Sequence, residues 1–168
     1  MVLARCPEAN LTVMCEWSVM LATQQPEPGF TVRHKLKALQ DRLAQSPRTA
    51  SLGWTPQSKV LDILKTQELY CYPGGPMPEG FGVALVQAQA CGCTVMAPEA
   101  GALPDVLNED YAVLEPYDNL ADRIIWHLQN PQELTVRKAL SAEAIERHAW
   151  PSVARRFLVL TGKDQSRE

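Results

Sequence analysis

The stretch Pro73-Gly-Gly-Pro-Met-Pro-Glu79-Gly-Phe-Gly82-Val-Ala-Leu-Val-Gln87-Ala-Gln-Ala-Cys-Gly92-Cys-Thr-Val95 decides the fold. It follows a strand-like run, Glu68 to Tyr72. It holds a glycine-rich turn, then a helix of small residues, then a second strand-like run, Thr94 to Ala97. A strand, a crossover helix and a strand in that order form a β-α-β unit. Such a unit presents loop N–H groups and a helix N-terminus at the carboxyl ends of its strands, where α/β sheets take anionic ligands.

The same alternation extends outward in both directions. Leu11 to Cys15 reads as a buried strand, and Gln24 to Gly29 as a loop. Val32, Leu36, Leu39 and Leu43 fall at helical spacing, which predicts an amphipathic helix from Thr31 to Gln45, stopped by Ser46-Pro47. Thr49 to Gly53 suits a short strand. Thr55-Pro56 reads as an N-cap and first-turn proline, with Val60, Leu61 and Leu64 inward. Beyond the central stretch, Gly101 to Leu107 suggests a helix of one or two turns, and Tyr111 to Leu114 a last strand. Asp118 or Asn119 caps a helix through Leu128. Asn130-Pro131-Gln132-Glu133 is a capping box opening a helix to about His148. Trp150-Pro151 starts a closing helix over 150–161, and Lys163 to Glu168 is a polar tail expected to be mobile. The expected fold class is therefore α/β: a Rossmann-like parallel sheet with helices on both faces, in one domain over residues 1–162.

Composition narrows the function classes. With a net charge of −3 and no Lys/Arg block, the chain is not built to grip nucleic acid through phosphates. Five cysteines, without a C-x-x-C pair, fit buried reduced thiols of a cytosolic protein. No His stands at ligand spacing to them, so no metal is expected. The most apolar run, Leu11 to Ala22, contains Glu16 and is too short to span a bilayer. No basic-then-apolar leader opens the sequence, so a cytoplasmic location is expected.

The chemistry concentrates at the glycine-rich turn. In a helix beginning near Gly82, the first N–H groups have no intrahelical partner, and the dipole favours negative charge there. Gly80 and Gly82 let a ligand approach the backbone, and Phe81 is expected to pack beneath the turn. Gln87 lies roughly 7–8 Å further along the helix axis, at about 1.5 Å per residue. That separation matches a pyrophosphate and its ribose hydroxyls. Glu79, before the turn, can accept hydrogen bonds from sugar hydroxyls. The pattern suits a nucleoside-diphosphate sugar laid across the helix start. Gly-x-Gly turns also join strands to helices without any ligand. Glu79 then serves as a first-turn helix carboxylate and Gln87 as an exposed helix residue.

Tyr72-Pro73…Glu79-Gly-Phe-Gly-x-x-x-x-Gln87-Ala-x-Ala-Cys-Gly-x-x-Val95…Gly101-x-x-Pro-Asp105 resembles the C-terminal, nucleotide-sugar-binding half of group 1 (family 4-type) retaining glycosyltransferases with the two-Rossmann-domain GT-B fold. Leu52-Gly53-Trp54 and the Trp150 segment are similar to further family elements, so the resemblance runs from about Pro7 to Leu160. It implies that Glu79 is the catalytic residue that touches the donor sugar for front-face transfer. Gly80, Phe81, Gly82 and Val83 would hold sugar and diphosphate, and Gln87 the ribose. Trp54 and Thr55 would receive the base. It also implies a UDP-, GDP- or ADP-sugar as donor, with no cofactor and no metal.

The sequence departs from the family pattern in three ways. Gln87 and Asp105 stand where the family has Glu, and Thr94 where it has Pro. An amide in place of a carboxylate at position 87 would weaken ribose binding by roughly 1–2 kcal/mol. The opening strand and helix of the family's C-terminal domain, with an Arg and a Lys for the diphosphate, are expected to be missing, and Glu16-Trp17 replace a common glycine pair. The acceptor-binding domain has no counterpart either, so this chain alone is expected to be inactive. Two readings follow. One is the donor-binding part of a transferase completed by an N-terminal half. The other is a non-catalytic, decayed transferase domain that binds itself or a partner protein, with the Val153, Phe157 and Leu160 face as the contact.

Overall fold

The structure, a computed structural model, describes residues 1–14, 32–74, 78–107, 112–116 and 118–162. Cys15, Glu16-Trp17, the expected loop at 24–29, Thr31, Tyr111 and the polar tail lie outside those residues. The chain divides into two compact units, Met1–Val60 and Leu61–Glu168.

In the first unit the described elements are α1 (Val2–Arg5), β1 (Leu11–Val13), α2 (Val32–Ala44) and β2 (Thr49–Ser51), followed by the start of α3 (Gln57–Leu64). β1 and β2 run parallel, with Leu11 opposite Thr49 and Val13 opposite Ser51. Arg48, just before β2, fixes the chain ahead of β1. Its guanidinium donates to the carbonyls of Leu3, Cys6, Pro7 and Ala9. One planar fork with five N–H donors can serve several carbonyls at once. β1 is half-exposed rather than buried, and Leu39 on α2 is exposed as well. At the next helix start, Thr55 sits one residue ahead of the cap. The carbonyl of Pro56 takes the first helical N–H, from Val60, at 3.0 Å. The Thr55 hydroxyl instead donates to the Gly53 carbonyl at 3.3 Å.

The second unit carries β3 (Leu69–Cys71), α4 (Val83–Ala90), β4 (Thr94–Pro98), α5 (Leu103–Leu107), β5 (Ala112–Glu115), α6 (Leu120–Gln129), α7 (Pro131–Ile145), a 3-10 turn (Glu146–His148) and α8 (Trp150–Leu160). Its sheet is parallel throughout, in the order β3-β4-β5. Leu69 stands opposite Thr94, and Val95 opposite Ala112. β4 is central, and all five of its residues are buried, as an uninterrupted apolar strand must be when covered on both faces. α4, α6 and α7 all pack on β4. Met96, Leu120, Leu69 and Ile124 form one core cluster there. The helix expected to reach His148 stops at Ile145 and tightens into the 3-10 turn, because Ala149 turns extended (ψ 138°) to start α8. Asn119 occupies the N-cap of α6 without a side-chain bond, and the Asn130 amide donates back to Trp126. Cys71 is exposed, against the expectation of a buried thiol. Cys93 is buried, and desolvation pushes its thiol up to about 11. Among the described residues, no helix is long and apolar enough to cross a membrane.

Candidate functional site

β3 ends at Cys71, and the Tyr72 N–H continues its ladder onto the Met96 carbonyl at 2.9 Å. The chain reaches α4 through the turn Glu79–Gly82. Gly82 is the N-cap of α4, with left-handed backbone (φ 76°, ψ 54°). A Cβ there would also lie 2.8 Å from Leu85 Cδ1 and 3.1 Å from Leu103 Cδ2. Only glycine suits both the conformation and the space. Gly101 backs the same turn. A Cβ on it would fall 2.5 Å from the Glu79 carbonyl oxygen, and the neighbouring Ala102 N–H donates to that oxygen at 2.9 Å.

The Glu79 side chain folds back over its own turn. Oε1 accepts the Gly82 N–H at 3.0 Å and the Phe81 N–H at 3.4 Å. Oε2 accepts the Tyr72 hydroxyl at 3.3 Å. The N–H groups of Phe81 and Gly82, assisted by Tyr72, hold this carboxyl below the usual glutamate range. The N–H groups of Val83 and Ala84, next along the helix start, meet no acceptor among the described residues. The turn thus already carries one anion and offers two further donors.

Phe81 does not pack beneath the turn. Its ring is 43% exposed and meets the His148 ring edge-on, with centroids 5.5 Å apart. An aromatic edge over a ring face is the favoured arrangement at that separation. His148 and Arg147 both bond the Val106 carbonyl on α5. Burial is the main cause that lowers the His148 pKa. The 3-10 turn therefore joins Phe81 to α5, and α5 begins beside Ala102, which holds the Glu79 backbone.

Glu79, Phe81, Gly82 and Val83 are brought together here, with Gly80 exposed at the crest. Gln87 is half-buried on the second turn of α4. Trp54, 73% exposed, and Thr55 belong to the first unit. Three contributors had no role in the sequence reading: Tyr72, Gly101 with Ala102, and His148. Tyr72 and Gly101 stand inside the quoted motif. His148 carries no local signal, because its contact with Phe81 is made across the fold.

The sequence profile described as glycosyl transferases group 1 matches residues 30–147. The chain belongs to the group 1 glycosyltransferases. It is 27% identical over 129 residues to a phosphatidylinositol N-acetylglucosaminyltransferase component of Arabidopsis thaliana, a match covering 73% of this chain and 27% of that one. Among solved structures it is similar to the sucrose-phosphate synthase of Thermosynechococcus elongatus (TM-score 0.68, 17% identity, 96% of this chain and 48% of that one). It is also similar to Anabaena HepE in complex with UDP-glucose (TM-score 0.66, 17% identity, 95% and 50%). The architecture is that of the GT-B glycosyltransferases, of which this chain spans about half the length. It spans under a third of the Arabidopsis relative.

Proposed function

We propose that residues 1–162 act as the donor-binding domain of a retaining glycosyltransferase. It would take a UDP-, GDP- or ADP-sugar and, joined to an acceptor-binding half, transfer the hexosyl group in the cytoplasm without a metal. The observation that carries this reading is the Glu79–Gly82 turn at the carboxyl end of β3, with the Val83 and Ala84 N–H groups open beside it in a chain of this family. Those donors and the positive end of α4 suit a diphosphate. Glu79 would orient the sugar through its hydroxyls, and Gln87 would meet the ribose. Front-face transfer asks the protein to hold the sugar and stabilise the departing diphosphate, which makes positioning and local dipoles its main contributions. The neighbour solved with UDP-glucose supports the choice of ligand class.

Calorimetric titration with UDP-, GDP- and ADP-sugars tests the reading. Heat with one of them, lost more in Glu79→Ala than in Glu99→Ala, supports it; equal effects of the two substitutions count against the placement of the sugar. The second reading, a non-catalytic module that self-associates, is favoured by the bare apolar side of α8, where Trp150 and Leu160 are more than four-fifths exposed. A chain that takes none of these nucleotides at millimolar concentration, yet sediments as a dimer, would favour it.

A further inference from the structure

We propose that the Glu79 carboxylate is an internal competitor for the anion position of its own turn, and that it thereby sets a preference for a sugar-bearing diphosphate over a bare one. The inference rests on the donor-site reading above. Oε1 occupies the N–H groups of Phe81 and Gly82, at 3.4 and 3.0 Å. Each backbone N–H has one hydrogen to give, so a phosphate oxygen gains these two only when the carboxylate leaves. A carboxylate and a phosphate around the same donors also repel each other.

A phosphate on the open Val83 and Ala84 N–H groups would still lie beside that carboxylate, and the backbone has little room to part the two. The Gly82 carbonyl accepts the Leu85 N–H and the Glu79 carbonyl the Ala102 N–H, both at 2.9 Å, and neither Gly82 nor Gly101 has room for a side chain. The mobile part is the carboxylate, which needs only side-chain rotation to leave. A bare nucleoside diphosphate brings acceptors alone. It repels the neighbouring carboxylate, or displaces it from its two donors, and gives it nothing in return. A sugar on the terminal phosphate brings hydroxyl donors, which the displaced carboxylate can accept. The Tyr72 hydroxyl, bonded to Oε2 at 3.3 Å, helps hold the carboxylate in its resting position. The same competition favours release of the bare diphosphate once the sugar has gone.

The test uses the 15N-labelled full chain and follows the Phe81 and Gly82 amide resonances. Without ligand, these amides should move with the titration of Glu79, below the pH range of an ordinary glutamate, and Glu79→Gln should abolish that movement. Inorganic pyrophosphate and UDP are then added to wild type, Glu79→Gln and Tyr72→Phe. Exchanging a charge-assisted competitor for a neutral one should tighten pyrophosphate binding about tenfold in Glu79→Gln. Tyr72→Phe should shift it less, in the same direction, whereas UDP-glucose should bind Glu79→Gln more weakly than wild type. Equal pyrophosphate affinity in wild type and Glu79→Gln overturns the competition, as does a Glu79→Gln protein whose amides take no pyrophosphate at all. A wild type that binds no nucleotide sugar, beside a Glu79→Gln protein that gains pyrophosphate, defeats the donor reading and leaves the competition standing. UDP-glucose and UDP weakened alike by Glu79→Gln would overturn the claimed preference.

Discussion

The Glu79–Gly82 turn and α8 lie in the same unit and are held very differently. The turn is braced at three points: the Phe81 and Gly82 amides by Glu79, the Glu79 carbonyl by Ala102, and the Phe81 ring by His148. In α8, Trp150, Phe157 and Leu160 repeat at helical spacing on one side, yet they are 83%, 64% and 85% exposed. The Arg156 guanidinium ties it to the preceding 3-10 turn, donating to the Arg147 carbonyl at 2.6 Å. The turn takes its shape from contacts within the unit. α8 has the sequence of a buried helix without the burial.

The sharpest way to break this contrast is at the position that backs the turn. Gly101→Val puts a branched side chain onto the Glu79 backbone at a φ of +61°. It should cost about 3–5 kcal/mol in urea unfolding, as overpacking and backbone strain add. Gly80→Ala is the control. A Cβ there meets nothing within 4 Å, and the change should stay within about 0.5 kcal/mol. Similar losses at both sites would mean that the turn is not braced by Gly101.

A paired truncation sharpens the other half of the comparison. Leu107 is fully buried and Leu160 85% exposed. Leu107→Ala should cost about 2–4 kcal/mol and Leu160→Ala under about 0.5. A large loss at Leu160 in the isolated chain would show that α8 is covered in solution, and a loss that grows with protein concentration would identify the cover as a second copy.

Much of the second unit was legible in the sequence alone. Its strands are short apolar runs bounded by glycine and proline, and such local patterns fix element type. The glycine positions of the turn were legible too, since Gly82 adopts the left-handed backbone that only glycine takes freely. Capping was read less well. Asn119 does sit at the expected N-cap, without a side-chain bond, whereas the Thr55 hydroxyl bonds the Gly53 carbonyl instead, because several local bonds compete at similar energy. The contacts of Tyr72, Ala102 and His148 were not legible, because each depends on chain segments brought together only by the fold. The back-folding of Glu79 was not legible either: the residue assigned to the sugar already sits on the Phe81 and Gly82 N–H groups, just ahead of the helix.

His127 gives a smaller probe of the packed region. It is fully buried on α6, and desolvation, reinforced by Arg137 and Arg123, lowers its pKa from 6.5 to about 4. A folded-state pKa depressed in this way contributes stability above pH 6.5 that is lost as the pH falls towards 4. The loss should be about 2–3 kcal/mol, read from denaturant midpoints across that range, and His127→Leu should flatten it. In ligand binding, Gln87→Glu should tighten a nucleotide sugar by about 1–2 kcal/mol if position 87 meets the ribose. An unchanged affinity would remove Gln87 from the site.

A crystal structure of the chain grown with a nucleotide sugar tests the central claim most directly. The account predicts diphosphate oxygens on the N–H groups of Val83 and Ala84, with the Glu79 carboxylate turned from its own amides to the sugar hydroxyls. A nucleotide bound elsewhere, or bound there while Glu79 still holds Phe81 and Gly82, would contradict it.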